Sequence, residues 1–208
     1  MFIQIYNTFK MIYKEKISGK YSYLQGVQVE DAEFILSLRT DPKYSRYIND
    51  TENDLDIQIE WIKQQQSKPS DYYFMIRDIN NNPKGVISLY NFDKDRKNAE
   101  MGRLICPKSP VQLYESFILI CIFGFEILGL KRMFYRMSPN NAETIAVTRK
   151  FGADFVGYGD YQNNTQYMEF QNWQENWPVL KTRNIARLEN FVRFTNRYDQ
   201  KNSSLVHL

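Results

Sequence analysis

The sequence of 208 residues predicts a single α/β domain, a mixed but mostly antiparallel central sheet of about seven strands flanked by helices. Three observations carry this. The apolar period shifts from 3.6 to 2 at Tyr72, three strands then follow with short polar turns, and beyond residue 110 helical and strand patterns alternate. With 43% apolar and 25% charged residues, the chain can build a core without metals or disulfides as staples.

Element by element, Phe2, Ile5, Phe9 and Ile12 recur at helical spacing, predicting an added N-terminal helix on the core, with a membrane-surface helix or an extra strand as the other readings. Tyr21 to Val29 reads as a strand. Ala32 to Arg39 is a helix with Phe34, Ile35 and Leu38 inward, broken by Asp41-Pro42. A second helix runs from near Asn53 to Gln66. Strands follow at Tyr73 to Ile79, Gly85 to Tyr90 and Ala99 to Cys106, the first pair joined by the turn Asn80-Asn81-Asn82-Pro83. A long helix from Val111 to Leu128 stops at Gly129. Arg132 to Met137 is a strand, Ala142 to Phe151 a helix closed by Gly152, and Phe155 to Tyr161 with Gln166 to Phe170 a final hairpin. After Pro178 a basic amphipathic helix carries Ile185, Leu188, Phe191, Val192 and Tyr198 on one side. The core spans about residues 20–172, between an N-terminal extension (1–19) and a C-terminal helical extension (173–208).

Composition excludes several chemistries. One histidine, His207, sits next to the C-terminus, so His-rich metal sites and histidine triads are not expected and no metal is called for. Cys106 and Cys121 lack metal or disulfide spacing and read as buried thiols of a reducing, cytoplasmic compartment. The net charge of +3 does not suggest nucleic acid as a partner, although it conceals an acidic stretch at residues 30–60 and a basic tail. The N-terminus has no basic region or cleavage site of a signal peptide, and no run of 18 uncharged apolar residues predicts membrane insertion.

The chemistry concentrates between Asn98 and Gly157. Ser109 with Gln112 fits a capping box and Pro110 suits the first helical position. The N–H groups of Val111, Gln112 and Leu113 would then face outward at a positive helix end, with Lys108 beside them, an arrangement that binds phosphate. Most capping boxes, however, bind nothing.

In this window the chain resembles the GNAT superfamily of acyl-CoA-dependent N-acyltransferases, especially the branch close to ribosomal-protein alanine acetyltransferases. Glu100, Gly102, Ile105 and Pro107 match its strand pattern E-x-G-x-x-I-x-P; Lys108 to Leu113 occupy its pyrophosphate loop, with Glu115 beyond. Pro139, Asn141, Thr144, Ile145, Lys150, Gly152 and Ala153 follow its P-x-N-x-x-S-I-x-x-x-x-K-x-G-F pattern, and V-x-V-E-D-A-E-F-I at residues 27–35 resembles its first strand and helix. The resemblance covers about residues 20–170 and implies a coenzyme A thioester as acyl donor, acetyl-CoA or a longer acyl-CoA. It places Leu104, Ile105, Cys106, Lys108, Ser109, Pro110, Val111, Gln112, Leu113, Tyr114, Asn141, Thr144 and Lys150 against that cofactor. Val111 and Leu113 depart from the small residues usual in the loop, and Thr148 stands where many members place an acid tyrosine.

Because the only histidine is terminal, Glu100 is the candidate base, directly or through water, with a rim ion pair as its plain alternative. Tyr114, Tyr135 or water would replace the acid, and we take Tyr114 as the candidate. Glu115 reads as structural or cofactor-adjacent, and Asn141 as a pantetheine contact or a helix cap. The abundant aromatics and the arginines Arg183, Arg187 and Arg193 fit a nucleotide-linked amino sugar as acceptor. The chain also resembles, more loosely, GNAT enzymes acting on dTDP-linked amino-dideoxy sugars in surface-polysaccharide synthesis. A protein N-terminal amine, a small amine, and a non-catalytic CoA-binding module are the alternatives; the edge strand near residues 155–170 suits a homodimer.

Overall fold

The computed structural model describes residues 13–161 and 165–205, with side chains to residue 196. The expected helix over Phe2 to Ile12 and the tip of the last hairpin, residues 162–164, lie outside the described residues. Eight strands, one more than the sequence pattern suggests, form a single sheet in the order β1-β2-β3-β4-β5-β6-β8-β7. They are β1 (Ile17–Ser18), β2 (Ser22–Gly26), β3 (Tyr72–Asp78), β4 (Pro83–Tyr90), β5 (Asn98–Ile105), β6 (Arg132–Met137), β7 (Asp154–Asp160) and β8 (Gln166–Trp173). The extra one, β1, is two residues long, too short for an alternating pattern to reveal. All neighbours are antiparallel except β5 and β6.

Alternation along the central strands supplies two apolar faces. Tyr72, Phe74 and Ile76 of β3, Leu89 of β4 and Met101 of β5 enter the larger core. That core is closed by α4 (Pro110–Cys121), α5 (Ala142–Phe151) and α6 (Trp177–Leu205). Tyr73 and Met75 face the other way, beneath α1 (Ala32–Thr40) and α3 (Leu55–Ser67), which are joined through the short α2 (Pro42–Ser45). The N-caps Asp41 and Asp54 accept backbone N–H groups, which fixes where α2 and α3 start.

The long helix after β5 is α-helical only to Cys121; Ile122–Ile127 widens into a π-helix that Leu128 closes on the Phe123 carbonyl at 2.9 Å. Pro110–Ile127 is long and apolar enough to cross a membrane, but it is the core helix here, with 56% of it buried. Gly152 ends α5 at φ 99°, a left-handed cap that any side chain would strain. Arg183 of α6 fills the space its Cβ would need. At the far edge, β7 leaves Phe155, Val156 and Tyr158 exposed.

Two irregularities position the site. First, β5 and β6 pair only over Asn98↔Arg132, Ala99↔Met133 and Glu100↔Phe134; beyond Glu100 the β6-facing edge of β5 has no strand partner among the described residues. Second, the β4–β5 register steps from Ser88↔Gly102 to Val86↔Ile105, so β5 carries one extra residue, a bulge with Arg103 at φ 49°. Alternation would send Arg103 to the face opposite Glu100 and Gly102. The bulge returns it to theirs, where it meets Trp61, Tyr73 and Tyr90.

Candidate active site

Glu100 sits at the last paired position before β5 and β6 part, and it is 4% exposed. A carboxylate so buried needs donors. The Tyr90 hydroxyl donates to Oε1 at 3.3 Å, the Asn91 amide to Oε2 at 2.9 Å, and Arg136 of β6 approaches Oε2 at 3.8 Å. Arg136 is shared with Glu169 of β8 at 3.0 Å and stacks near Phe134 and Tyr167. Burial first, and the Glu100 charge second, raise the Tyr90 phenol, so it stays protonated and remains a donor. The same two causes raise Tyr161 at the end of the last hairpin. Gly102 explains part of the motif: a Cβ there would meet the Tyr90 hydroxyl at 2.5 Å, so the E-x-G spacing leaves room for the donor.

Behind Tyr90, Arg103 lies 4.3 Å from the ring centroid and forms a bidentate pair with Asp71 at 2.5 and 3.0 Å. Although burial opposes its charge, the Asp71 contacts raise Arg103 above its ordinary range. Tyr73, stacked edge-on with Trp61, is pushed up to about 12 by burial; its hydroxyl, like Ser88 Oγ and Gln58 Nε2, is buried without a hydrogen-bond partner among the described residues.

At the other end of β5, Leu104, Ile105 and Cys106 lead into the start of α4. The capping box does not form: Ser109 has φ −137°, ψ 63° and makes no side-chain cap. Leu113 N–H is consumed by the Ser109 carbonyl at 2.8 Å, leaving Val111 and Gln112 as the N–H groups without a partner among the described residues. Lys108 is exposed at φ 53° beside them, and Pro110 has no N–H to satisfy. Burial pushes the half-buried Cys106 thiol up to about 12, which marks it as packing rather than a nucleophile.

The remaining candidates divide. Tyr114 donates to Asn184 of α6 at 2.6 Å, and burial raises its phenol. It shares no partner with Glu100. Asn184, fully buried, also donates to the Phe151 carbonyl at 2.9 Å, so it bolts α4, α5 and α6 together. Asn141 caps α5 by accepting from Thr144 N–H at 3.2 Å, the structural half of its two readings. Lys150 is exposed on α5. Thr148 is 1% exposed, and its hydroxyl has no partner among the described residues.

Glu115 is structural: its carboxylate accepts Lys20 N–H at 2.7 Å, Tyr21 N–H at 3.0 Å and the Ser22 hydroxyl at 2.6 Å. Arg183 and Arg187, expected to face a nucleotide, instead donate to the Phe151 and Lys150 carbonyls at the negative end of α5. Arg193 bonds Asn190. Sequence reasoning missed Asn91, Arg136, Arg103 and Asp71, and took Tyr90 only as stacking surface for an acceptor, not as a partner of Glu100. Only the pairing Tyr90↔Glu100 was within reach, by folding the β4–β5 hairpin about its turn.

Comparison with known proteins decides the family. The model of the acetyltransferase (GNAT) domain matches residues 23–154, more than half of the chain. The protein belongs to the GNAT acetyltransferases. It is an acyl-CoA-dependent N-acyltransferase, and its sheet is the fold of that family. Apo FdhC, described as a nucleotide-linked sugar GNAT, superposes with a TM-score of 0.71 at 26% identity, covering 84% of this chain and 98% of its own. A GCN5-related N-acetyltransferase from Brucella melitensis gives 0.73 at 18% identity, over 84% and 86%. A spermidine N-acetyltransferase SpeG chimera from Vibrio cholerae and hSSAT gives 0.66 at 15%, over 76% and 98%. No curated protein matches the sequence.

Proposed function

We propose that the protein transfers an acyl group from acyl-CoA to the amino group of a nucleotide-linked amino sugar, of the dTDP-amino-dideoxy class used in surface polysaccharides. The observation that carries this is the likeness to a nucleotide-linked sugar GNAT at 26% identity over 84% of the chain. A cleft of about 490 Å³ supports it: Tyr90 and Asn91, which hold Glu100, form part of its wall, and Lys68, Lys94, Arg96 and Phe92 line it beside the carboxylates of Asp71 and Asp93. Cations for phosphate and rings for a base or sugar are what such an acceptor asks of a protein.

In this reading Glu100 takes the proton of the attacking amine, directly or through one water. The unpaired edge of β5 beyond Glu100 offers backbone N–H groups to the thioester oxygen, where charge develops. Val111 and Gln112 N–H, with Lys108, receive the pyrophosphate of the donor at the start of α4. Leu104, Ile105 and Cys106 flank the pantetheine arm, while Asn141, Thr144 and Lys150 contribute from α5. Tyr114, held protonated by burial, is assigned the proton for the departing thiolate. The experiment is an acceptor screen that follows free thiol from acetyl-CoA with dTDP-amino-dideoxy sugars, ribosomal N-terminal peptides and spermidine. Turnover with the sugar nucleotide supports the proposal; release with a peptide or spermidine alone rejects it.

A further inference from the structure

We propose that Tyr90, Arg103 and Asp71 are positioning residues that hold Glu100 in one orientation for proton transfer. This rests on the reading of Glu100 as the base. The extra residue in β5 brings Arg103 onto the Glu100 face of the sheet. Asp71, which is 9% exposed and sits one residue before β3, grips the guanidinium through both oxygens at 2.5 and 3.0 Å. A bidentate pair fixes the plane of the guanidinium as well as its place. That plane lies 4.3 Å from the centroid of Tyr90, and the Trp61 and Tyr73 rings flank it at 5.4 and 5.9 Å. The Tyr90 ring is therefore clamped, and its hydroxyl passes over Gly102 to Glu100 Oε1 at 3.3 Å. Asn91 fixes the second oxygen at 2.9 Å.

The chain runs from a buried aspartate through the guanidinium and the Tyr90 ring to the carboxylate; Asp71 and Tyr90 also line the cleft, so a double-mutant cycle separates action through Glu100 from contact with the acceptor. The groups facing Glu100 are Tyr90 and Asn91 from the end of β4, Arg136 from β6 and, at longer range, Tyr161 after β7. Of these, Tyr90 alone is backed by the Asp71–Arg103 pair, so loss of that pair acts on Glu100 through one ring. A base displaced by a fraction of an ångström loses rate without losing donor affinity.

The test is a set of double-mutant cycles on the full chain. Tyr90→Phe, Arg103→Lys and Asp71→Asn are each made alone and in a Glu100→Gln background. We would measure kcat, KM for acetyl-CoA and the melting temperature, using a dTDP-amino-dideoxy sugar, or spermidine if the acceptor screen finds it better. Each single change is expected to lower kcat about tenfold with KM for acetyl-CoA unchanged, and to have less than about a twofold effect once Glu100 is gone. Losses that multiply in the Glu100→Gln background overturn the positioning role and leave the base standing. Wild-type kcat in Glu100→Gln overturns both. Should Arg103→Lys fail to fold, Tyr90→Phe, which removes one oxygen and keeps the stacked ring, carries the cycle by itself.

Discussion

Gly102→Ala adds one carbon at the most constrained point of the site. The new Cβ would lie 2.5 Å from the Tyr90 hydroxyl, 3.0 Å from Cε1 and 3.1 Å from Cζ, all below ordinary contact. The ring cannot slide away freely, because Arg103 covers it at 4.3 Å and is itself fixed by Asp71. Relief requires a shift approaching 1 Å at the hydroxyl, and the bond to Glu100 starts at 3.3 Å, so it breaks. A hydrogen bond to a charged group contributes about 1.5–3 kcal/mol; taking the low end for a long bond gives roughly a tenfold loss of kcat. The backbone gains a little from losing a strand glycine, about 0.5–1 kcal/mol, against about 1–3 kcal/mol for overpacking, so stability falls by no more than about 2.5 kcal/mol. Initial rates of thiol release and a urea melt measure the two quantities. A Gly102→Ala enzyme with kcat within twofold of wild type would refute the argument that this glycine exists to admit Tyr90.

Other outcomes follow from the same geometry. Lys108→Ala removes an exposed cation beside the free N–H groups of α4, and should raise KM for acetyl-CoA about threefold to fivefold at low salt with kcat unchanged; equal KM values at 20 and 300 mM salt would count against it. Asn184→Ala strips the bolt between α4, α5 and α6, leaving the Phe151 carbonyl and Tyr114 hydroxyl without it, and should cost about 2–4 kcal/mol in a urea melt. Burial pushes Cys106 and Cys121 thiols up to about 12, so at pH 8 both stay protonated. A disulfide reagent should leave the native protein essentially unreacted over minutes and titrate two thiols after unfolding. Rapid native reaction would place Cys106 in a more open setting.

Much of the fold is legible because apolar period reports burial directly. Tyr72 to Ile76 alternates between two cores, and the α3 face formed by Ile59 and Ile62 recurs at helical spacing. What stays hidden is geometry that departs from period. Nothing in Gly102-Arg103-Leu104 announces an inserted residue, yet the bulge decides which face Arg103 joins. The π-helical turn at Ile122–Ile127 is as apolar as the α-helix before it. Ser109 and Gln112 satisfy a capping pattern that the structure does not adopt: Ser109, at φ −137° and ψ 63°, makes no side-chain cap. Glu100 is a candidate base from its motif and from the terminal place of the one histidine. Its holders are not legible, because Asp71 lies in the α3–β3 connection, 29 positions away and outside any motif.

The role of Glu100 is tested most directly by Glu100→Gln, assayed for thiol release from acetyl-CoA with a dTDP-amino-dideoxy sugar. The change keeps the shape of a side chain that is 4% exposed, and its amide oxygen still accepts from Tyr90 or Asn91 while proton uptake is abolished. If Glu100 is the base, kcat falls about 10²–10³-fold with KM for acetyl-CoA unchanged. A Glu100→Gln enzyme that keeps kcat within threefold of wild type would contradict that role, leaving Glu100 as a buried ion-pair partner of Arg136.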